Sequence, residues 1–250
     1  MKILISGYFG HMGQVLKDLV MADADLTLSC AVDINASSDK DGDIKVFKKF
    51  SDVDTDFDVV IDFSNHLATK DLTDFCISKN KTLILATTGQ TNDELEIIKS
   101  ASKKIPIFFA ANYSIGIAVL INLAKKAAQN MKDADIEIIE THHNRKLDAP
   151  SGTALKIADA LKEVRPNANF VMGRSCNKKR EKNDIGINSI RMGNIVGIHE
   201  VKVSTNFECI SLKHEAFDRA LFASGAIFAA KFMTKKPAGL YNMNDMVKVD

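Results

Sequence analysis

The sequence predicts an α/β protein in which a doubly wound parallel sheet is followed by a second region of α+β type. Two observations support this prediction: short apolar runs alternate with helix-length stretches, and the pattern changes near residue 113. Before that point the runs are continuously apolar, which is typical of strands covered on both faces. After it, apolar and polar residues alternate, which is typical of a sheet with one covered face. We therefore expect two domains, formed by residues 1–113 with 219–250 and by residues 114–218.

In the first region, apolar runs predict strands at Lys2–Ser6, Leu26–Asp33, Asp58–Phe63, Thr82–Ala86 and Ile107–Ala110. The amphipathic stretches between them predict helices at His11–Met21, His66–Lys79 and Asn92–Lys103. Strands that alternate with helices in this way form parallel sheets, because each helix returns the chain to the same end of the sheet.

In the second region, alternating runs predict strands at Asp135–His142, Ile185–Met192, Ile195–Thr205 and Phe207–His214. Helices are predicted at Ser114–Met131, from about Ser151, and at Glu215–Met233. We expect an open mixed sheet whose strands are mostly antiparallel, because few helices separate them. The alternation in Ile195–Thr205 fits a face buried against a partner chain and equally an internal core. The charged segment Asn177–Asp184 fits a solvated loop.

The composition excludes several classes of protein. The 250 residues include 33 Lys and Arg and 32 Asp and Glu, which gives a formal net charge of +1, and 46% of them are hydrophobic. A dedicated nucleic-acid binder usually carries a large basic excess, so we expect no nucleic-acid partner. No apolar run reaches the roughly 18 residues that a membrane-spanning helix needs.

The cysteines and the start of the chain indicate a compartment. The four cysteines, Cys30, Cys76, Cys176 and Cys209, show no Cys-x-x-Cys spacing. Glycines interrupt the short apolar start, and no cleavage-site pattern follows, so we expect no signal peptide. Scattered cysteines in such a chain are typical of reduced thiols, and we expect a cytoplasmic protein.

The first predicted strand leads directly into a glycine-rich turn, Gly7-Tyr8-Phe9-Gly10-His11-Met12-Gly13, which opens a helix. Glycine allows a tight turn, a close approach of the backbone to a pyrophosphate, and close packing of the helix on the strand. The free N–H groups at the helix start attract phosphate. The second predicted strand ends at Asp33, about 20 residues after Gly13, where an acid accepts from a ribose 2′-hydroxyl. Together these features predict a Rossmann-like dinucleotide-binding domain.

Asp33 and the residue after it also bear on the choice of cofactor. A carboxylate at this place repels the 2′-phosphate of NADPH, and Ile34 offers no guanidinium to compensate. We therefore expect NADH to be used at least as well as NADPH.

Two further segments follow predicted strands of the first domain, where open α/β sheets bind ligands. They are Ala86-Thr87-Thr88-Gly89 and Ala111-Asn112-Tyr113-Ser114. Their short polar groups suit the carboxamide of a nicotinamide. Ordinary strand-to-helix turns with Thr and Ser caps explain the same residues equally well.

A dense cluster of ionisable residues lies just after a predicted strand of the second domain. It contains His142, His143, Arg145, Lys146 and Asp148. Surface histidines at a strand end remain an alternative interpretation. Zinc is not favoured, because no Cys or carboxylate stands at the usual ligand spacing, and we expect no metal.

The residues that follow the cluster favour a functional site. Ser151 is the predicted N-cap of a helix, so the N–H groups of Gly152 and Thr153 can hold an anion. Cations and N–H groups at one place suit a small substrate that carries carboxylates. An acid that titrates near neutral pH suits proton transfer to that substrate.

The segment EIIETHHNRKLDAPSGTAL, together with GxxGxMG, ATTG and AANYS, resembles the dihydrodipicolinate reductase family. The later segments GNIVGIHEV, KHEAFDRALFASGAIFAAKF and GLYNMNDMV also resemble this family, so the resemblance covers essentially the whole chain. It implies an NAD(P)H-dependent reduction of 4-hydroxy-tetrahydrodipicolinate in diaminopimelate and lysine biosynthesis, by a cytoplasmic homotetramer. Another small-molecule dehydrogenase, or a nucleotide-sensing regulator without catalysis, remains the alternative.

The resemblance also implies roles for particular residues. His142 is the implied proton donor and acceptor, and Lys146 the second proton donor. Implied substrate contacts are His143, Ser151, Gly152 and Thr153. Implied cofactor contacts are Gly7, Tyr8, Phe9, Gly10, His11, Met12, Asp33, Ala86, Thr87, Thr88, Ala111, Asn112, Tyr113, Ser114, Arg219 and Phe222.

The chain departs from the family pattern at a few positions. His11 stands where the family commonly has Arg, and Ile34 where members that accept NADPH often have Arg; both differences weaken the expected binding of NADPH. Arg145 is an additional cation beside the cluster, and we expect it to pair with Asp148 or Glu140.

Overall fold

A computed structural model describes residues 1–175 and 177–248, which divide into two units. The first unit comprises Met1–Tyr113 and Ala220–Met246, and the second comprises Ser114–Arg219 together with Val247 and Lys248. Asn122 Nδ2 donates to the Val247 carbonyl at 3.0 Å, which ties the end of the chain to the second unit. The expectation of a reduced thiol at Cys176 lies outside the described residues.

The elements of the first unit up to residue 113 lie close to their predicted positions. They are β1 Lys2–Ser6, α1 His11–Ala22, β2 Thr27–Val32, β3 Lys40–Asp41, β4 Ile44–Phe47, β5 Val59–Asp62, α2 Thr69–Lys79, β6 Thr82–Leu85, α3 Asn92–Ser102 and β7 Pro106–Phe109. The hairpin of β3 and β4 was not predicted, because strands of two and four residues are too short to show a period.

The remaining elements are α4 Ile115–Asn130, β8 Asp135–His142, α5 Gly152–Val164, β9 Asn169–Met172, β10 Asp184–Arg191, β11 Gly197–Ser204, β12 Cys209–Ala216, α6 Ala220–Phe232, β13 Gly239–Tyr241 and α7 Met243–Met246. The prediction of a helix from Glu215 is wrong at its start. Glu215 and Ala216 pair with β11 as part of β12, and the helix begins only at Ala220.

The sheet of the first unit has the order β13-β7-β6-β5-β1-β2-β4-β3. Its strands are parallel except at the β3–β4 hairpin, which confirms the predicted Rossmann-like sheet. From β1 the chain builds outward in one direction through β2 and β4, and then in the other from β5. The carboxyl ends of β1 and β5 therefore form the switch point where such sheets bind ligands.

The sheet of the second unit has the order β12-β11-β8-β10-β9, and it is mixed as predicted. The expectation that its strands are mostly antiparallel is wrong. β8, β10 and β9 run parallel because α5 and the connection after β9 each return the chain to the same end of the sheet. Only β11 and β12 run antiparallel to their neighbours.

Helices α4 and α5 pack on one face of this mixed sheet and bury its aliphatic side chains. Val201 and Val203 of β11 lie fully buried in that core. The alternation in Ile195–Thr205 is therefore explained by internal packing. Among the described residues, no helix is long and apolar enough to cross a membrane.

Candidate active site

The glycine turn of the first unit requires glycine at its first and last positions. Gly7 has φ +78°, and a Cβ there would lie 2.5 Å from the Phe63 carbonyl oxygen. A Cβ on Gly13 would overlap the carbonyl oxygen of Gly7. Gly10 is the N-cap of α1 and has no side chain to cap the first N–H groups. The turn is thus a cradle that fits a pyrophosphate.

Tyr8 lies in this turn, but its ring is fully buried. Its hydroxyl donates to Asp41 Oδ2 at 2.7 Å, and Lys17 Nζ donates to the same oxygen at 2.9 Å. These contacts fasten the β3–β4 hairpin to the turn and to α1. Of the implied cofactor contacts, Tyr8 can therefore offer only its backbone.

Asp33 follows β2 and is only 6% exposed. One carboxylate oxygen accepts from the Phe9 N–H and the other from the Asn35 N–H, both at 2.8 Å. Asp33 therefore braces the glycine turn at the position where this fold places the adenosine ribose. The next residue, Ile34, is 77% exposed.

Asp62, at the end of β5, is a buried carboxyl group that was not singled out from the sequence. It accepts from Ser6 Oγ and Ser64 Oγ at 2.6 Å and from Thr87 Oγ1 at 2.5 Å. Burial raises the pKa of Asp62, and these hydroxyl hydrogen bonds offset only part of the effect. Beside it lies a pocket of about 240 Å³, lined by Phe63, Ser64, Asn65, His66, Ala86, Thr87 and Thr88.

In the segment Ala111–Ser114, the side chains of Tyr113 and Ser114 form hydrogen bonds with backbone groups of the protein. The buried Tyr113 hydroxyl reaches the carbonyl oxygens of Leu85 and Phe108 at 3.0 and 3.1 Å. Ser114 is the N-cap of α4 and accepts from the Ile117 N–H at 3.2 Å. The capping interpretation of this segment thus holds for Ser114.

In the second unit, three strands change from apolar to ionisable along one buried face. On β8, two buried isoleucines are followed on this face by Glu140 and His142. The strand register places Arg191 of β10 beside His142, and His199 of β11 beside Glu140. This end of the sheet is therefore a buried cluster of charges.

Glu140 lies at the centre of the cluster and is fully buried. Arg191 donates to both of its carboxylate oxygens, at 2.9 and 2.7 Å, and His142 Nδ1 lies 2.5 Å from Oε2. The Ser151 N–H donates to Oε1 at 3.1 Å. Burial disfavours the charged carboxylate, but the hydrogen bonds from His142 and Arg191 outweigh it and hold the pKa of Glu140 well below its usual range.

His199 packs edge-on against His142, with ring centroids 5.1 Å apart. Burial, reinforced by the charge of His142, lowers the pKa of His199 to about 3. Its Nε2 lies 3.2 Å from Ser151 Oγ. At physiological pH His199 is therefore uncharged, and its ring packs against His142 within the site.

The loop after β8 carries the cationic side chains. Lys146 Nζ lies 2.8 Å from Asp148 Oδ1. That hydrogen bond lowers the pKa of Asp148. Arg145 donates to Asn194 Oδ1 at 2.6 Å, so the expected pairing of Arg145 with Asp148 or Glu140 is wrong.

The start of α5 matches its prediction. Ser151 is its N-cap and accepts from the Ala154 N–H at 3.1 Å, which confirms the predicted cap. Both the hydroxyl and the N–H of Ser151 are therefore engaged within the protein. Gly152 is exposed, and a Cβ on it would meet no other atom within 4 Å.

Of the remaining implied contacts, His143 and Arg219 lie in the second unit and Phe222 lies in the first. The pKa of His143 is lowered by burial and by the charges of Arg145 and Arg219, so Arg219 acts on the substrate cluster. Phe222 is half-buried on α6 in the first unit. Among the described residues, no group of three or more His, Cys, Asp or Glu is arranged to hold a metal.

Sequence reasoning missed Arg191, His199 and Asp62 as members of these sites. The available signal was position in the strand: Arg191 and Asp62 are the last residues of β10 and β5, and His199 lies near the start of β11, before the buried Val201 and Val203. The partners, however, are far apart in sequence; Arg191 is 51 residues from Glu140. A larger cavity of about 500 Å³ lies around the amino ends of β8 and β10, and none of the predicted site residues line it.

A glycine turn before the first helix, an acid after β2 and a buried ionisable cluster in a second unit define an NAD(P)H-dependent oxidoreductase with a Rossmann-like fold. Two family profiles match the chain: "Dihydrodipicolinate reductase, N-terminus" over residues 1–113 and "Dihydrodipicolinate reductase, C-terminus" over residues 116–247.

Similar proteins agree with this match. The 4-hydroxy-tetrahydrodipicolinate reductases of Clostridium tetani and Caldanaerobacter subterraneus are 43% and 42% identical to the chain. The alignments cover 98% and 99% of this chain and 96% and 98% of those proteins. A dipicolinate-bound dihydrodipicolinate reductase from Paenisporosarcina has a TM-score of 0.85, with 26% identity and 99% of each chain covered.

The chain belongs to the dihydrodipicolinate reductase family. The family and the fold class expected from the sequence are confirmed, as are the NAD(P)H-dependent reductase activity and its place in diaminopimelate and lysine biosynthesis.

Proposed function

We propose that this chain reduces 4-hydroxy-tetrahydrodipicolinate with NADH as a preferred or equal cofactor, and that His142 and Lys146 donate the protons. The observation that carries the proposal is the cluster at the end of β8. There a buried imidazole is held by an ionised carboxylate, close in sequence to a lysine and to the start of a helix. An imidazole and an ammonium group near a helix N-terminus are suited to bind an anion and to protonate it.

The groups proposed to bind substrate match a dicarboxylate. Lys146 and Arg219 supply positive charge, and Gly152 and Thr153 supply the first N–H groups of α5. Asp148 Oδ1 lies 2.8 Å from Lys146 Nζ, so Asp148 engages one of these proposed donors. We expect a substrate carboxylate to compete with Asp148 for Lys146. His143, whose lowered pKa keeps it neutral, adds a hydrogen-bonding ring beside them.

The proposed proton transfers use His142 Nε2 and Lys146 Nζ. His142 Nδ1 is engaged by Glu140, so Nε2 is the atom that exchanges protons with substrate. When bound, the dihydronicotinamide supplies a hydride to the conjugated ring, which leaves an electron-rich carbon to be protonated. His142 Nε2 and Lys146 Nζ are the donors held in place for that proton. Each such acid typically contributes about 10²–10⁴-fold.

The cofactor preference rests on the end of β2. The Asp33 carboxylate is fixed by two backbone N–H groups, so it cannot turn away from a 2′-phosphate. Ile34 is exposed beside it and carries no charge to compensate. We therefore expect a kcat/KM for NADH at least equal to that for NADPH, and a much higher value for NADPH would contradict this assignment.

We also propose that the chain forms a homotetramer in the cytoplasm. β12 is an eight-residue edge strand, and Phe207 and Phe217 at its two ends are 96% and 87% exposed. Long exposed edges are normally covered, and assembly would cover this one. Cys30, Cys76 and Cys209 are free thiols, as a reducing compartment requires. Light scattering of the purified chain tests the tetramer.

A coupled assay tests the function. The labile substrate is generated in situ, and the loss of NADH absorbance is followed. We expect loss of NADH only when the substrate is present. A nucleotide-sensing regulator would bind NADH without turnover, and a different dehydrogenase would respond to a different substrate.

A further inference from the structure

We propose that Glu140 is a positioning residue of this active site: with Arg191 as its charge partner, it sets the tautomer of His142 and anchors the start of α5. The inference rests on the proposed function in taking His142 as the proton carrier. It adds two residues, Glu140 and Arg191, that would act through others and not on substrate.

The hydrogen bonds on Glu140 determine which His142 nitrogen carries hydrogen. Arg191 donates to both carboxylate oxygens, and the Ser151 N–H donates to one of them. A carboxylate held by these donors is ionised and can only accept from its third partner, His142 Nδ1. His142 therefore carries hydrogen on Nδ1, and Nε2 is left to gain or lose a proton.

The surroundings of Nε2 agree with this assignment. Nε2 lies over Gly197, where a Cβ would be only 3.0 Å from it. Glycine at this position therefore leaves room beside the reactive nitrogen. Any larger residue at Gly197 would crowd the Nε2 edge of the His142 ring.

The charged and titratable groups around His142 come from every neighbouring element. They are Glu140 on β8, Arg191 on β10, His199 on β11, and His143, Arg145, Lys146 and Asp148 in the loop after β8, together with Arg219, whose charge acts on His143. Asp148 pairs with Lys146, and His199 is neutral. Glu140 is therefore the anion that stabilises a protonated His142 directly.

The same pair holds the loop that leads into α5. Arg191 Nη2 donates to the Asp148 carbonyl at 2.6 Å, and Glu140 accepts from the Ser151 N–H. Both ends of this short segment are thus attached to the Glu140–Arg191 pair. The proton carrier and the proposed carboxylate-binding helix start share one support.

The kinetic test compares Glu140→Gln with a matched control, Asp184→Asn. Asp184 is also a buried carboxylate with an arginine partner, Arg174 at 3.1 Å, but it lies at the opposite end of β10. For Glu140→Gln we expect kcat to fall at least about 10-fold. The alkaline limb of its kcat–pH profile should also move to lower pH by about one unit. For Asp184→Asn we expect a lower Tm with kcat and pH profile unchanged.

A spectroscopic test does not depend on turnover. In protein labelled with ¹⁵N-histidine, His142→Gln identifies the His142 signals. We expect the neutral imidazole of the unsubstituted protein to carry hydrogen on Nδ1, and Glu140→Gln to populate the Nε2–H form. The inference is overturned if the unsubstituted protein shows the Nε2–H form, or if Glu140→Gln keeps both kcat and the pH profile.

These outcomes separate the two proposals. If the unsubstituted protein does not oxidise NADH with the substrate, the proposed function fails, while the tautomer measurement still decides the role of Glu140. If Glu140→Gln does not fold, the tautomer of the unsubstituted protein decides it alone.

Discussion

Asp62 in the first unit and Glu140 in the second are both buried carboxyl groups near the carboxyl end of a strand that has at least one parallel neighbour. They differ in what donates to them. Asp62 is surrounded by three hydroxyl groups, whereas Glu140 receives a guanidinium, an imidazole and a backbone N–H. The pKa of Asp62 is raised by burial, and that of Glu140 is lowered despite burial.

The comparison shows that burial alone does not decide the charge of a carboxyl group; the charge of its donors does. Neutral hydroxyls tie Asp62 to the neighbouring strand ends without cancelling the rise in its pKa that burial causes. A guanidinium keeps Glu140 ionised, and only an ionised carboxylate can orient and stabilise a proton-carrying imidazole.

The largest expected effect comes from removing the guanidinium. Arg191→Met leaves Glu140 buried without its charge partner, which typically costs about 3–5 kcal/mol of the free energy of unfolding. Urea unfolding monitored by circular dichroism measures it. A loss below about 1 kcal/mol would mean that Arg191 is not what keeps Glu140 ionised.

The next largest effect is a loss of kcat without a loss of NADH affinity, which distinguishes the second unit from the nucleotide-binding first unit. His142→Gln or Lys146→Ala should lower kcat at least about 100-fold while NADH affinity changes little, because the proposed acids lie in the second unit. Steady-state kinetics and fluorescence titration with NADH measure the two quantities. Turnover close to that of the unsubstituted protein in either variant would remove that residue from the mechanism.

The pH dependence of stability should have opposite signs at the two carboxyl groups. The lowered pKa of Glu140 means that its contribution is present above pH 4.5 and is lost as the pH falls below it. The raised pKa of Asp62 means that its contribution decreases as the pH rises above 3.8.

Glu140→Gln should therefore cost more stability as the pH rises through this range, and Asp62→Asn should cost less. Urea unfolding from about pH 3 to about pH 7 measures both slopes, each at most about 1.4 kcal/mol per pH unit. Slopes of the same sign would contradict the comparison.

The smallest effect concerns a third carboxylate, Asp33, which is held by backbone N–H groups alone. Ile34→Arg places a cation beside it and should raise kcat/KM for NADPH by up to about five-fold, or about 1 kcal/mol. Ile34→Gln, which is long but uncharged, is the control. An equal gain with glutamine would show that charge is not what limits NADPH.

Local patterns predicted the parts of the fold that depend on local sequence. The glycine turn was predicted because Gly7 and Gly13 occupy positions that only glycine fits. The Ser151 cap was predicted because a serine hydroxyl satisfies an N–H three residues later. Tyr8 and Tyr113 lie in implied cofactor segments, yet their rings are buried, which no local pattern reveals.

The sequence by itself determined the family, the two kinds of sheet and the order of most helices and strands, because periodicity, glycine positions and helix caps act over a few residues. Only the tertiary structure decided that Arg191 meets Glu140 and that His199 meets Ser151. Those contacts depend on which strands pair and in which register. That choice is made by burying apolar faces over the whole sheet, and no short segment of the chain records it.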